Sequence, residues 1–166
     1  MKTTTRLRTG RAVASLLTVD ALLHLYWATG ATWPAAGPRA LSLAVLGIET
    51  SFAPSAVLPL AALLLTGATA TLARAHGRGG RPARLVTAAV AAGLTVRGLA
   101  GLGWAAGLLD SPPDSPFHVL NLALYTPACL GFGWAAARLA LTAPAHPAHP
   151  VHPVHPNGPI RSEQPG

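Results

Sequence analysis

Residues 85–109 read LVTAAVAAGLTVRGLAGLGWAAGLL, an apolar run of 25 residues in which Arg97 is the single charge. At about 1.5 Å of rise per residue, such a helix exceeds the roughly 30 Å hydrocarbon core of a bilayer. Three other stretches have the same character: residues 12–30, 53–73 and 117–141. The expectation is an all-α fold, a four-helix transmembrane bundle. Asp20 sits near the middle of the first run as Arg97 does of the third. A charge at a bilayer centre costs on the order of 2.5–3.5 kcal/mol on insertion scales, so such residues face a bundle interior and mark a site. Asp20 and Arg97 are therefore expected to pair.

Composition supports this reading. The 166-residue chain is 51% hydrophobic and only 10% charged, against about 25% charged in ordinary soluble domains. Its net charge is +7. The basic residues sit between the apolar runs (Arg6, Arg8 and Arg11, then Arg74, Arg78, Arg81 and Arg84) and not along one amphipathic face. That pattern belongs to cytoplasmic membrane loops and argues against nucleic acid. Segment 31–52 has one arginine, Arg39, and the 110–116 turn has none but carries Asp110 and Asp114. These two segments are expected outside, with both termini cytoplasmic, in a multi-pass protein of the bacterial cytoplasmic membrane whose first partner is the lipid bilayer. Asp20 and His24 interrupt the first run too early for a cleaved signal peptide.

The organisation follows. Residues 1–11 form a basic cytoplasmic segment, 12–141 the membrane domain, and 142–166 a disordered His/Pro-rich tail. The tail places His146, His149, His152 and His155 three residues apart. In polyproline II they would lie about 9 Å apart, too far for neighbours to share one ion unless the tail bends, so no metal site is assigned and weak metal binding by the tail stays the alternative to plain disorder. In segment 31–52, Pro34, Gly37 and Pro38 precede an apolar stretch, Leu41 to Ile48, too short to span. It is either an interfacial or re-entrant piece over the outer mouth or an early start of the second span. The lone Cys129 permits no intrachain disulfide.

The polar residues of the runs share faces. Asp20, His24 and Trp27 follow i, i+4, i+7 spacing on the first helix. On the third, Ala89, Gly93, Arg97, Gly101 and Ala105 recur every four residues, a small-residue stripe expected to pack Arg97 inward. On the fourth, His118, Asn121, Tyr125 and Cys129 form another stripe, and Pro127 frees the carbonyl of Ala123, which predicts a bend. Midpoint arithmetic puts Asp20 and Arg97 within about 2 Å of the midplane and His24 and Tyr125 about 5 Å further out. Asn121 and His118 follow, near Tyr26 and Trp27. The result is a polar column opening outward. Tyr26, Trp27, Trp33 and Trp104 also fit an interfacial aromatic belt. His24 and His118 differ in depth, so haem is not implied, and no cofactor is expected. Nucleophile elbows, zinc-binding helices and phosphate loops are absent from the sequence, which leans away from an enzyme. Gly103 and Gly107 form a GxxxG pattern suited to a homo-oligomer or to packing within the bundle.

HLYWATG (24–30), Arg97 and NLALYTPACL (121–130) together resemble the actinobacterial membrane proteins grouped as domain of unknown function 3995. Those proteins are similar in having four helices, a His-x-Tyr-Trp-Ala-x-Gly motif and a Tyr-Ser-Pro-x-Cys-Leu-type motif. The resemblance covers residues 12–141 and carries over His24, Tyr26, Trp27, Gly30, Arg97, Tyr125, Pro127 and Cys129. Thr126 stands where that family often has serine, and Asn121 where it often has an acid. The resemblance implies the architecture and supplies no chemistry. Three functions stay open: a non-enzymatic protein binding or passing a small ligand or proton at Asp20, His24, Arg97, Asn121 and Tyr125; a structural or accessory subunit in which the polar pair only joins helices; and a membrane enzyme acting on a lipid or quinone through His24.

Overall fold

A computed structural model describes residues 1–110 and 116–142. The His-Pro repeat and most of the 110–116 turn lie outside the described residues. Five helices carry the described chain: α1 Thr3–Ala28, α2 Pro38–Leu46, α3 Pro54–Ala75, α4 Gly80–Ala105 and α5 Phe117–Leu141. Three of them, α3, α4 and α5, are long and apolar enough to cross a membrane. The 26-residue α1 is equally long, but Arg6, Arg8, Arg11, Asp20 and His24 lower its apolarity, so three of the four expected spans meet the criterion. Leu63, Leu85, Val96, Val119 and Leu122 are each more than half exposed. So much leucine and valine on the outside of long helices marks a membrane-embedded protein.

α1 packs against α3, α3 against α4, and α4 against α5, which returns to touch α1. α1 and α4 thus occupy opposite corners. Lipid offers no hydrophobic drive for helix association, so close packing through small residues takes its place. Val13, Ala14 and Leu17 of α1 meet Ala68, Ala91 and Ala136 in the core. Gly98 lies against Leu130, and Gly133 against the backbone and hydroxyl of Thr95.

The buried face of α4 corrects the expected stripe. It runs through Ala83, Thr87, Ala91, Gly98 and Gly101, whereas Ala89, Gly93 and Ala105 are exposed. Steps of four residues advance the helix by about 400°, so a four-residue repeat drifts by about 40° per step and winds off any one face. Gly103–Gly107 is likewise no helix-packing pattern. Gly107 lies beyond the end of α4 with φ 72°, its N–H bonds to the Trp104 carbonyl at 3.1 Å, and the Leu108 N–H bonds to the Gly103 carbonyl at 2.9 Å. This is a Schellman cap, whose left-handed residue is most often glycine.

α2 is a separate helix and not an early start of α3. It rests on the beginning of α5. Its buried Ser42 hydroxyl donates to the Ile48 carbonyl at 2.5 Å and accepts from the Thr50 N–H at 2.7 Å, closing the connection into α3. At the opposite end of the molecule, the basic segment 1–11 continues α1. Arg6 and Arg74 are both more than nine-tenths buried. Arg6 donates to the Arg74 carbonyl at the end of α3, and Arg74 donates to the carbonyls of Ala140 (3.2 Å) and Thr142 (2.6 Å) at the end of α5. Unsatisfied carbonyls and the negative end of the macrodipole make a helix C-terminus a place for cations.

Candidate functional site around Arg97

Pro127 has no N–H to give and its ring crowds the turn before it. The chain answers with a π-helical turn, Asn121–Tyr125, ahead of the α-helical stretch Thr126–Leu141. In a π turn, residues five apart stack, where an α-helix stacks residues four apart. Asn121 and Thr126 accordingly point the same way, both almost fully buried, with the Thr126 hydroxyl donating to Asn121 Oδ1 at 3.3 Å. Where the sequence predicts a bend at Pro127, the structure has a π turn just ahead of it, and the product of that turn is this pair.

Asn121 joins α5 to α4. Its Nδ2 donates to the Gly101 carbonyl at 2.8 Å, and its Oδ1 also accepts from Arg97 Nη1 at 3.2 Å. Both ends of the amide are used, as a buried amide requires. Gly101 permits the approach: a Cβ there would stand 2.0 Å from Thr126 Oγ1 and 3.0 Å from Asn121 Oδ1.

Three aromatic rings surround the Arg97 guanidinium. Its central carbon lies 5.4 Å from the ring centre of Trp104, 5.6 Å from that of Tyr125 and 5.8 Å from that of Phe117. Phe117 is fully buried and meets Trp104 edge-on at 5.1 Å. α2 completes the cage. The Tyr125 hydroxyl donates to the Ala44 carbonyl at 3.3 Å, and Gly47, at φ 73°, leaves room for the Phe117 ring. Arg97 is half-buried, and its Nε and Nη2 have no acceptor among the described residues.

The predicted Asp20–Arg97 ion pair is not formed. The two charges belong to diagonal helices, and each is claimed nearer home. Asp20, with its side chain 47% exposed, stands 3.4 Å from His24 Nδ1. That nitrogen also lies 2.8 Å from the Asp20 carbonyl, which can only accept, so Nδ1 carries a proton.

The expected column thus divides in two. Arg97, Asn121 and Tyr125 form one cluster, with Trp104, Phe117 and Thr126 as members that sequence reasoning missed or placed in the aromatic belt. Asp20, His24 and Trp27 form the other. His24 meets Trp27 edge-on at 5.3 Å, Trp27 meets Phe52 at 5.5 Å, and Trp27 Nε1 donates to the Trp33 carbonyl at 3.2 Å. Tyr26 and His118 are exposed. A cavity of about 420 Å³ opens above Trp27, between the end of α1 and the start of α3; it touches neither His24, Arg97 nor Tyr125.

Among known proteins, the family described as protein of unknown function (DUF3995) matches residues 17–136, which include both clusters. No curated protein and no solved structure matches the chain.

Proposed function

The chain belongs to the DUF3995 family, and we propose that it is a four-span protein of the bacterial cytoplasmic membrane whose Arg97 cluster receives a small anionic ligand from the outer side. In this reading α1 is the fourth span, because it closes the ring of helices between α3 and α5. Both termini are then cytoplasmic. Lys2, Arg6, Arg8, Arg11, Arg74, Arg78, Arg81 and Arg84 gather at one end, as the positive-inside bias requires.

The observation that carries the ligand reading is a cation with no ion-pair partner among the described residues. Arg97 meets no carboxylate among the described residues, and one neutral amide oxygen and three rings hold it in place. Each cation–π contact contributes about 0.5–2 kcal/mol, enough to orient the guanidinium without cancelling its charge. Its Nε and Nη2 remain to be matched, and a carboxylate or phosphate matches that fork geometry. Trp104 beside Arg97 supplies a reporter. With Trp27, Trp33 and Trp134 replaced by Phe, titration of the reconstituted protein with benzoate or inorganic phosphate should give a saturable change in Trp104 emission. Arg97→Met should abolish it. Absence of any saturable response to either anion in the parent would overturn the ligand reading.

A second reading has its own support. Because Asn121 already bonds Arg97, Thr126 and Gly101, the cluster would serve as a clamp between α4 and α5 in a structural or accessory subunit. Then Arg97→Met should cost stability and no anion should matter.

A further inference from the structure

A groove of about 340 Å³ runs along α1 at the arginine-rich end, lined by Arg11, Ala14, Ser15, Thr18 and Val19 with Leu72 of α3 opposite. Arg11, Ser15 and Thr18 follow i, i+4, i+7 spacing and so lie along one side of the helix. The Thr18 hydroxyl donates to the Ala14 carbonyl at 2.8 Å, so it asks nothing of an occupant. The groove therefore has a charged mouth at Arg11 and a largely apolar trough beyond it.

The charge around that mouth is one-sided. Arg8 lies one turn before Arg11, and Arg6, a further two residues back, is buried against the Arg74 carbonyl. The acids among the described residues are Asp20, Glu49 and Asp110, none of them at this end. Arg6 and Arg74 turn their terminal nitrogens to helix C-terminal carbonyls, and the Nε of each is buried without a partner among the described residues. Carbonyl dipoles offset only about half a charge per helix end, so the region keeps an excess of positive charge.

We propose that this groove is a binding site for an anionic phospholipid of the inner leaflet, with its phosphate on Arg11 and one acyl chain along Ala14, Thr18, Val19 and Leu72. The site rests on the reading of α1 as a span. Arg11 is nine residues from Asp20, about 13 Å along the helix, and half the hydrocarbon core is about 15 Å. A guanidinium at that level snorkels to the phosphates. From Arg11 to Val19 is about 12 Å, most of the depth of one leaflet's chains. A zwitterionic headgroup would bring an amine to a place without an acid among the described residues, and a free phosphate would leave the apolar trough uncovered.

The test uses the full chain purified in detergent, with native mass spectrometry and thermal stability measured against dioleoyl phosphatidylglycerol, dioleoyl phosphatidylethanolamine and inorganic phosphate. Phosphatidylglycerol should be retained in preference to phosphatidylethanolamine. Arg11→Gln should weaken that retention about fivefold, the worth of one basic residue against an anionic headgroup. Val19→Trp alters an exposed position; it should fill the trough and reduce phosphatidylglycerol retention while Arg11 stays. Equal retention of the two lipids overturns the site. So does stabilisation by inorganic phosphate that Arg11→Gln removes and Val19→Trp leaves intact, which would mark a free-anion site. Topology reporters placed at Thr5 and Thr32 read the span independently. Reporters on one side refute the span, whereas reporters on opposite sides without lipid preference refute the groove alone.

Discussion

Gly101→Ala is the sharpest perturbation of the Arg97 cluster. A Cβ at this position would lie 2.0 Å from Thr126 Oγ1, 3.1 Å from Thr126 Cβ and 3.0 Å from Asn121 Oδ1. The hydroxyl cannot simply rotate away, because Thr126 is almost fully buried and its oxygen is held by Asn121. Relief requires α4 and α5 to separate, which stretches the 2.8 Å bond from Asn121 Nδ2 to the Gly101 carbonyl. Overpacking of this kind costs about 1–3 kcal/mol, and an interhelical hydrogen bond in a membrane adds about 0.6 kcal/mol, at most about 1.7. Gly101→Ala should therefore destabilise the protein by about 2–4 kcal/mol, read as a shift in reversible unfolding in mixed micelles. Thr126→Ala removes the clashing oxygen and one long hydrogen bond and should cost under about 1 kcal/mol. The double variant should then be more stable than the sum of the two losses by about 1–2 kcal/mol, because the two sites share one contact. Gly93→Ala is the internal control, since a Cβ there meets nothing within 4 Å, and it should lose no stability. Strict additivity of Gly101→Ala and Thr126→Ala, or a loss at Gly93→Ala as large as at Gly101→Ala, would refute the proposed approach of α4 and α5.

Three further outcomes test other parts of the molecule. Asn121→Asp places a carboxylate against Arg97; it should abolish the Trp104 response to benzoate while forfeiting the bond to the Gly101 carbonyl, and a retained response would mean that Arg97 is not the anion's contact. Arg74→Met strips the donor from the Ala140 and Thr142 carbonyls, so hydrogen exchange should quicken at the end of α5 and overall stability fall by about 1–3 kcal/mol; unchanged exchange there would show that Arg74 caps nothing. Asp20→Asn should change unfolding stability by less than about 1 kcal/mol, because the carboxylate is half-exposed and His24 keeps its bond to the Asp20 carbonyl; a loss above about 2 kcal/mol would restore Asp20 as a structural partner.

What the sequence disclosed and what it hid divide along physical lines. Apolar length is a one-dimensional property, so the runs translate directly into α3, α4 and α5, and the last expected span, 117–141, coincides with Phe117–Leu141. Proline chemistry is equally local, and Pro127 points to a disturbed helix next to where the π turn lies. Which face of a helix is buried depends on a small angular difference. Counting by four placed Gly93 inside, where the true period exposes it and buries Ala91 and Gly98 instead. Partner choice depends on which helices are neighbours, and nothing in a single sequence says that α1 and α4 face each other across a diagonal. Two opposite charges at equal depth made Asp20 and Arg97 an obvious pair, yet depth fixes only one of three coordinates.

The π turn also explains how a site could assemble from unremarkable residues. With an unbroken α-helix, Asn121 and Tyr125 would share a face and Thr126 would lie about 100° away from Tyr125. The extra residue in the turn brings Thr126 into line behind Asn121 and leaves Tyr125 beside it, where the ring reaches Arg97 and the hydroxyl reaches α2. One proline therefore does two things. It supplies Asn121 with a buried hydroxyl that holds its oxygen toward Arg97, and it releases Tyr125 to close the cage. Pro127→Ala should relax the turn toward α-helical register, lengthening the contact between Thr126 and Asn121 and loosening Trp104 around Arg97. The expected readout is a red-shifted, more accessible Trp104 in the single-tryptophan protein, with the helix content of α5 retained. Unchanged Trp104 emission would mean that packing against Gly101, and not the proline, holds the turn open.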